Sequence, residues 1–588
     1  MGEQGATGTR KQSFLHGALI LMLAIALEKV IGAMYKIPLA WILTPVGNGY
    51  FGNAYALYSP IYSLAMAGFP IAISRLVSEN SARGRYRDIR QIHWVSIRIF
   101  IILGVIAFCI MYFGAKPYVW YADSSHPENA LPAIYALAPA VLFNSLMAIY
   151  RGYYEGLRNM YPTAISEVVE ALSKFIFGLT ASMIVIRVGM REYAAKGTVF
   201  GIKQASVEYA KQATLPYAAA GAIFGVTIGS VLAFLFLFFY HKKNGDGITR
   251  EMLRASPRPV PLRITRSRLI RTAIPIALGS VAVNLSTLID STFLKRRISD
   301  IMVNNSQVIL HMYQDVLPDV VVKNNEVPTF LFGCFTCATT LFMVVPSITQ
   351  AFGVSALPNV TEAWTGGDPR KIKKSIEAVL RIIAMITIPA GLGLSMLSTP
   401  IAALIYPGKE NAPTIIGKIL VLLGLAAIFA AMSTPINSML QAVGRVDLPV
   451  KLLAMGLVIK LVLNYTLVGI PTVNVMGAGT GTLVCYLFIT VFSLYFLCRE
   501  TKVVPNLISI FFKPLLASVL CVGAGYLIQK IAASIISDKI ATLLAVAFAG
   551  VIYVFCMLWF RALRKSDILM LPKGQKIVKI LEKHNGIR

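Results

Sequence analysis

Apolar runs long enough to cross a lipid bilayer recur along this chain, and they constrain its fold more than any other feature. Two examples are IFIILGVIAFCIMYFGA at 99–115 and AIFGVTIGSVLAFLFLFFY at 222–240. A helix of about 20 apolar residues spans the hydrocarbon core, and no segment between the runs is long enough for a large soluble domain. With 56% hydrophobic and only 14% charged residues, the sequence predicts an all-α polytopic membrane protein.

The runs predict fourteen transmembrane helices. Their expected ranges are 13–43, 49–78, 92–114, 130–152, 162–187, 213–240, 269–293, 326–356, 374–404, 414–441, 450–470, 474–498, 506–530 and 539–562. The start of the chain lacks the pattern of a cleaved signal peptide, so the first helix is expected to be retained.

Basic residues are concentrated in alternate loops. The loops after helices 2, 6 and 8 and the end of the chain are rich in Lys and Arg, whereas the intervening loops are nearly neutral, apart from two longer mixed loops at 188–212 and 294–325. Because positive loops stay on the cytoplasmic side, both termini are predicted to be cytoplasmic. Anionic lipid headgroups then explain the net charge of +28. Nucleic-acid binding is not expected, since no folded basic domain is present.

Two stretches of sequence repeat in the same order and with similar spacing. VSENSARGRYRDIRQIHWVSIRI at 77–99 aligns with VTEAWTGGDPRKIKKSIEAVLRI at 360–382, and EGLRNMYP at 155–162 aligns with AVGRVDLP at 442–449. Both copies begin at a predicted cytoplasmic loop, which predicts parallel repeats: two pseudo-symmetric six-helix lobes plus two C-terminal helices. Such lobes favour a transporter that works by alternating access over a passive duplication in a structural protein.

The predicted domain organisation follows from this repeat. It consists of a cytoplasmic N-terminus at 1–12, an N-lobe at 13–240, a basic cytoplasmic linker at 241–268, a C-lobe at 269–498, helices 13 and 14 at 504–562 and a basic cytoplasmic tail at 563–588. The alternation of apolar and Lys residues in GQKIVKILEKH predicts a short helix on the membrane surface within the tail.

Ionisable residues inside predicted helices mark the candidate site, because such residues are normally functional. In helix 1, Lys29 and Lys36 are seven residues apart and therefore share a face. Glu28 is adjacent and could partner Lys29. Lys29 lies near mid-membrane, where a cavity or a partner is required. Two cations on one face of a cavity suit an anionic substrate, such as a pyrophosphate or a carboxylate.

Helix 5 carries a second group of charges. Glu167, Glu170 and Lys174 form one stripe, and Glu170 with Lys174 is the favourable i,i+4 order. These residues either take part in ion coupling or form a charge pair that only holds helices together. Asp290 in helix 7 is a further candidate of the same kind.

Other intramembrane charges have simpler explanations or fewer neighbours. Arg75, Arg98 and Lys451 lie near predicted cytoplasmic helix ends, where snorkelling alone explains them. In the second lobe, Lys460 and Asn464 share a face of helix 11. The first lobe is thus the richer in intramembrane charge.

No catalytic or metal-binding pattern is found in the sequence. The CxxC of Cys334 and Cys337 lies inside an apolar helix and is interpreted as two small packing residues. The six histidines lack metal-ligand spacing, and there is no P-loop. Neither an enzymatic activity nor a cofactor or metal is expected, and coupling to a monovalent cation or to the membrane potential is left open.

Four stretches carry a resemblance to a known family: GAMYKIPLAWIL, YSPIYSLAMAGFPIAISRLVSE, RGYYEGLRNMYPTAISEVVE and DILMLPKGQKIVKIL. They resemble the polysaccharide biosynthesis proteins of the MOP superfamily, in particular the branch of stage V sporulation protein B and the MurJ-like lipid II flippases of Gram-positive bacteria. The resemblance covers nearly the whole chain. It implies a MATE/MOP-like fold, and fourteen helices fit this branch, whereas the drug-export and O-antigen branches usually have twelve.

The resemblance implies a flippase that moves an undecaprenyl-pyrophosphate-linked cell-wall precursor from the inner to the outer leaflet of the bacterial cytoplasmic membrane. Membrane lipids and cell-wall synthases are the further partners that it implies. Lys29 and Lys36 match basic positions of the family in its first-lobe cavity, and Arg75 matches a basic position in ISRLVSE. The family places a groove for the lipid tail beside helices 13 and 14.

Helix 8 departs from the family, because VPTFLFGCFTCATTLFMVVPS contains no arginine. Lys323 or the loop cations Lys295, Arg296 and Arg297 are candidates to replace the missing cation. Loops 188–212 and 294–325 are also long for the family.

Three other functions stay open at this point. A cation-coupled exporter of the multidrug type would use Glu167 and Glu170 as its proton or sodium site. A flippase for another exported polysaccharide would use the same cavity. A scaffold for cell-wall synthases is disfavoured, since it has no need for paired buried cations.

Overall fold

A computed structural model describes residues 14–66, 68–122, 126–406, 412–445 and 447–560. The predicted N-terminal segment 1–12 and the predicted tail helix within 563–588 lie outside these residues. The described chain divides into two compact units. The first runs to Arg296 and takes in Asp319–Gly333, and the second takes in Arg297–Pro318 and continues from Cys334.

The described chain is almost entirely helical. In the first half of the chain, the α-helices are α1 Phe14–Met66, α2 Phe69–Ala82, α3 Tyr86–Ala122, α4 Leu131–Gly156, α5 Tyr161–Lys196, α6 Val207–Asn244, α7 Arg250–Ala255 and α8 Leu262–Asn304. The chain continues with α9 Ser306–Met312, α10 Asp319–Lys323, α11 Val327–Phe342, α12 Val344–Thr365, α13 Pro369–Met396, α14 Ser398–Ile405, α15 Ala412–Ala442, α16 Asp447–Val468, α17 Met476–Thr501, α18 Lys513–Ala533 and α19 Asp538–Trp559.

Twelve helices among the described residues are long and apolar enough to cross a membrane. The first of these is the single run Leu23–Ser63, although Thr44 has a φ of 55° and a ψ of 179°. The backbone is not helical at Thr44, so two helices meet there at a kink, as the predicted ranges 13–43 and 49–78 require. The arginine-rich α8 is not one of the twelve. The all-α polytopic architecture is confirmed, and the count of fourteen stays a prediction.

The two long loops of the sequence prediction are largely helical in the structure. In the region 188–212, α5 continues to Lys196, a two-stranded antiparallel hairpin pairs β1 Thr198–Val199 with β2 Ile202–Lys203, and α6 begins at Val207. The carboxylate of Glu192 accepts hydrogen bonds from the hydroxyl of Thr198 and the amide of Gly201, which fixes the hairpin on α5. In the region 294–325, α8 continues to Asn304 and is followed by α9 and α10. The predicted helices on either side of these loops were therefore too short, because polar residues extend each helix beyond its apolar run.

The repeated stretches have the same local backbone. Gly84 has a φ of +68° and Gly367 a φ of +66°, and each lies two residues before the start of a helix, α3 or α13. In the second pair of stretches, Arg158 has a φ of +60° and Gly444 a φ of +88°, and each lies three residues before a helix, α5 or α16. This structural match is shifted by one residue from the sequence alignment, which places Arg445 opposite Arg158. The repeat found in the sequence thus encodes turns of the same conformation in both units.

The basic linker that was predicted at 241–268 is bound to the start of α3. The guanidinium of Arg87 donates to the carbonyl of Leu253 at 2.8 Å, and the amide of Gln91 donates to the carbonyl of Val260 at 2.6 Å. The carboxylate of Asp88 accepts the backbone N–H of Val260 at 2.8 Å. The loop charges that set the predicted topology therefore also hold the linker in place.

Candidate functional site

Helix α1 presents three different faces before its kink at Thr44. Consecutive residues of a helix are rotated by about 100°, and the residues at one angle are buried: Ala24, Ile31, Tyr35 and Leu39. The hydroxyl of Tyr35 donates to the carbonyl of Ala222 in α6 at 3.0 Å. This buried face fixes the rotation of α1 and therefore decides where its charged residues lie.

Lys29 and Lys36 lie together on one exposed flank of α1, as their spacing predicts. The side chain of Lys29 is 58% exposed, and Lys36 is also exposed. The other exposed flank is apolar and consists of Leu23, Leu27, Met34 and Trp41. We name the first surface the cationic flank. The apolar flank suits contact with lipid, whereas a flank with two lysines suits polar surroundings.

Glu28 lies beside the cationic flank. One of its carboxylate oxygens is 3.5 Å from the ammonium nitrogen of Lys29, so the partnership that the sequence suggested is present as an ion pair. A Cβ added at Gly32, between the two lysines, would meet no atom within 4 Å. There is consequently open space along the flank for a ligand group.

Arg75 lies on a different helix, α2, and its side chain is exposed. Among the described residues it forms no ion pair, in contrast to Lys29. Its assignment to the substrate cavity stays a prediction.

An ion pair between α4 and α5 forms the centre of a second polar cluster in the first unit. The guanidinium of Arg151 donates to Glu170 at 3.0 Å and to the hydroxyl of Ser166 at 2.9 Å. Lys174 instead lies over the rings of Tyr35 and Tyr55, 5.4 and 5.5 Å from their centroids. Sequence spacing favoured Glu170 with Lys174, since the i,i+4 rule considers one helix only. The sequence analysis missed Arg151, and the signal for it was a charged residue near the end of an apolar helix.

Glu167 lies one turn before Glu170 on α5. Its Oε2 is buried and has no hydrogen-bond partner among the described residues. Nearby aromatic residues of α1 are held in place, because the amide of Asn144 donates to the hydroxyl of Tyr58 at 2.7 Å and the Tyr58 ring stacks on Tyr62 at 5.3 Å. A buried carboxylate oxygen in such surroundings can bind a proton or a small cation.

Asp290 is buried on α8, near a set of neutral polar contacts. The amide of Asn284 donates to the hydroxyl of Ser63 at 2.6 Å, and Ser291 donates to Asn53 at 3.0 Å. Asp290 therefore lies on a stretch of α8 whose neighbouring residues Asn284 and Ser291 form hydrogen bonds with α1.

The candidates for the missing helix 8 cation occupy different environments. Lys295 is fully buried, Lys323 is exposed, and Arg296 lies over the ring of Tyr121 at 5.7 Å. Arg297 pairs with Asp300 at 3.0 Å and lies over Tyr465 at 4.7 Å. Among the described residues, no group of three or more His, Cys, Asp or Glu side chains could hold a metal ion.

Twelve long apolar helices among the described residues, with matching turns in the two units, are the architecture of a multi-pass membrane protein. The family model of the polysaccharide biosynthesis proteins matches residues 14–364, and that of "Lipid II flippase MurJ" matches residues 339–568. Because the first match covers more than half of the chain, this chain belongs to the polysaccharide biosynthesis protein family. The resemblance inferred from its sequence motifs is confirmed.

Two curated relatives come from Bacillus subtilis (strain 168). The lipid II flippase MurJ is 25% identical over 463 residues, which is 77% of each chain. Stage V sporulation protein B is 23% identical over 568 residues, which is 96% of this chain and 98% of the relative. These relatives agree with the transmembrane helices in indicating a multi-pass bacterial membrane protein.

Two solved structures share the fold. The inward closed conformation of the lipid II flippase MurJ has a TM-score of 0.61 at 14% identity, covering 92% of this chain and 98% of that one. An inward-facing multidrug resistance MATE family transporter of the MOP superfamily has a TM-score of 0.59 at 13% identity, covering 82% and 98%. The predicted MATE/MOP-like fold is confirmed. The proteins matched are flippases and transporters, not enzymes.

Proposed function

We propose that this protein is a flippase for a lipid-linked saccharide and that it carries undecaprenyl-pyrophosphate-linked peptidoglycan precursor, lipid II, from the inner to the outer leaflet of the bacterial cytoplasmic membrane. The observation that carries the proposal is the cationic flank, where two lysines lie seven residues apart on one exposed side of a membrane helix. Membership of the polysaccharide biosynthesis family and the flippase relative support the choice of substrate.

The chemistry of the flank fits the head of such a substrate. A pyrophosphate carries several anionic oxygens, and an ammonium group binds them through charge-assisted hydrogen bonds. Lys29 and Lys36 bind the pyrophosphate in this proposal, and Arg75 contributes a third cation from α2. The polyprenyl tail stays in the bilayer, since no protein cavity is needed to solvate hydrocarbon.

The direct test replaces each lysine of the cationic flank by alanine. Lys29→Ala or Lys36→Ala should abolish flipping at normal membrane levels, because each charge-assisted bond contributes about 1.5–3 kcal/mol and its loss weakens binding by roughly ten- to a hundred-fold. Lys→Arg at either position should retain part of the activity, since the charge remains but its geometry changes. The measurements are complementation of a strain depleted of its lipid II flippase and native mass spectrometry of bound lipid.

The Glu28–Lys29 ion pair provides the matched control. If Lys29 only neutralises Glu28, the double variant Glu28→Gln/Lys29→Ala should restore flipping, because no charge is left unpaired. Rescue by the double variant, with lipid still bound, would contradict the substrate role of Lys29. Failure of both variants, with lipid binding lost, is the expected result.

The direction of transport requires a defined topology, and we propose that both termini and the linker 241–268 are cytoplasmic. Single-cysteine labelling in a cysteine-free background tests this orientation. A cysteine at Ala255, in α7 of the linker, should react only after the membrane is made permeable. Labelling of that cysteine from outside intact cells would overturn the topology.

A cation-coupled exporter is the second candidate, and the buried, unpartnered carboxylate oxygen of Glu167 favours it. In that case Glu167→Gln should abolish transport while Lys29→Ala retains it. In a flippase driven by a monovalent cation or by the membrane potential, Glu167→Gln should change the ion dependence of flipping, and Lys29→Ala should still abolish it.

A further inference from the structure

A polar cavity apart from the cationic flank lies in the first unit, at the ends of α3, α4 and α6. Its volume is about 240 Å³, room for about eight water molecules at ~30 Å³ each. Its lining consists of Arg90, His93, Trp94, Tyr153, His241, Gly245 and Asp246. None of these residues belongs to the cationic flank or to the Arg151 cluster. In the proposed topology, the cavity opens at the cytoplasmic surface of the membrane.

Asp246 is the fixed anion of this cavity. Its Oδ2 accepts hydrogen bonds from the hydroxyl of Tyr153 at 2.9 Å and from Nε of Arg90 at 3.4 Å. Its Oδ1 accepts the backbone N–H of Ile248 at 3.0 Å. A carboxylate has about four acceptor positions, so one remains for a further donor.

Arg90 is the cation of the cavity. Besides its bond to Asp246, it donates through Nη2 to the carbonyl of Ile248 at 3.5 Å. A guanidinium has about five N–H donors, so most of them remain for another acceptor. The side chain of Arg90 is 49% exposed, which places it at the mouth, where a phosphate oxygen can reach it.

His93 contributes an unsatisfied polar atom. The residue is 9% exposed, and its Nδ1 has no hydrogen-bond partner among the described residues. Its ring stacks on that of His241 at 5.0 Å, and Nδ1 of His241 lies 3.0 Å from the hydroxyl of Tyr154. Because Nδ1 is buried, His93 contributes its ring to the wall of the cavity, where it packs on His241.

We propose that this cavity binds a phosphate that carries a primary amine, the headgroup chemistry of phosphatidylethanolamine. One fixed cation and one fixed anion match a zwitterion. Arg90 receives the phosphate at the mouth, and Asp246 receives the ammonium group, with the exposed indole of Trp94 beside it as a cation–π partner. An anionic headgroup such as that of phosphatidylglycerol would leave Asp246 facing negative charge.

The test uses the full-length protein in detergent. Binding of phosphatidylethanolamine, of phosphatidylglycerol with the same acyl chains and of soluble phosphoethanolamine is measured by native mass spectrometry and titration. Phosphatidylethanolamine should bind about ten-fold more tightly than phosphatidylglycerol. Arg90→Gln should weaken its binding about ten-fold or more, as expected for the loss of a charge-assisted hydrogen bond. Asp246→Asn should reduce or reverse the preference between the two lipids, because it removes the fixed anion.

Arg98→Gln is the matched control, since Arg98 is an exposed arginine of the same helix α3 that does not line the cavity. It should leave the preference unchanged. If the Asp246 variant fails to fold, Trp94→Ala at the exposed mouth should still weaken phosphatidylethanolamine binding several-fold. Competition by soluble phosphoethanolamine at the same concentration as the lipid would support the chemistry and identify a soluble ligand. Equal binding of both lipids by the unmodified protein would overturn the proposal.

Discussion

Helix α5 of the first unit and helix α16 of the second differ in charge although they occupy equivalent places in the repeat. Each helix begins three residues after a residue with a positive φ, Arg158 for α5 and Gly444 for α16. Lys174 and Lys460 lie at the same distance from the start of their helices. Counted in the same way, Glu170 corresponds to Gly456. Glu170 binds Arg151, whereas a Cβ on Gly456 would approach the side chain of Ile489 in α17 to 2.8 Å.

This difference shows that corresponding helices of the two units are held to their neighbours in different ways. In the first unit, a carboxylate joins α5 to α4 through an ion pair. In the second, the absence of a side chain lets α16 approach α17 closely, which is the usual way for helices to associate in a membrane. At this position the carboxylate is therefore present in the first unit only, although α16 also buries polar side chains, Lys460 and Asn464.

The second unit also has two helices beyond the repeat, and their removal should have the largest effect. The hydroxyl of Tyr553 in α19 donates to the carbonyl of Met385 in α13 at 2.7 Å, which attaches the pair to the unit. The exposed side of α19 is apolar and carries Val551, Val554, Phe555 and Trp559. Deleting residues 504–588 should abolish transport of a lipid-linked substrate while the remaining chain inserts, because the polyprenyl tail loses its contact surface. Complementation together with membrane fractionation measures this.

A single substitution on the same surface controls for misfolding of the truncated chain. Val551→Lys puts a charge on the exposed apolar side and should impair flipping with normal insertion. Full flipping by the truncated chain would show that α18 and α19 are not required for transport, as in a twelve-helix relative.

The Arg151–Glu170 pair should dominate the stability difference between the units. Arg151→Ala leaves Glu170 without its partner and should lower the free energy of unfolding by about 2–4 kcal/mol, somewhat less than for a fully buried pair because both side chains are partly exposed. Asn437 lies at the equivalent distance from the end of α15 and accepts a hydrogen bond from Ser493 at 2.8 Å. Asn437→Ala should cost only about 1 kcal/mol. Thermal unfolding in detergent compares the two.

The double variant Arg151→Gln/Glu170→Gln separates charge from packing. It should recover most of the lost stability, since neither charge remains unpaired. Equal losses for Arg151→Ala and Asn437→Ala would show that the charge contrast between α5 and α16 carries no energetic weight.

The smallest expected effect tests the similarity of the units instead of their difference. Gly84→Ala and Gly367→Ala should each lower the free energy of unfolding by about 1 kcal/mol, because a Cβ is disfavoured at positive φ. Both sites are otherwise open, with no atom within 4 Å of the added Cβ. Gly393→Ala, in the open surface of α13, is the control and should be neutral or stabilising by up to about 1 kcal/mol. Unequal losses at the two turns would mean that the repeated sequence no longer has an equivalent structural role.

Much of the fold could be predicted from the sequence, but few of the contacts in the candidate site could. The shared face of Lys29 and Lys36 follows from helical spacing, and so does the proximity of Glu28. The partner of Glu170 did not follow, because Arg151 comes from another helix, and a rule for neighbours within one helix selects Lys174 instead. The cavity at His93 was also missed, since its lining comes from three helices and a loop.

The sequence by itself determined most of the long apolar helices and the positions of the turns at Gly84 and Gly367. The reason is that a bilayer requires every backbone hydrogen bond to be made within the segment, while Gly84 and Gly367 permit a backbone that other residues disfavour. Only the tertiary structure decided which side chains meet. Arg151 reaches Glu170, and Asp246 reaches Arg90, because packing brings together residues whose distance along the chain carries no information about contact.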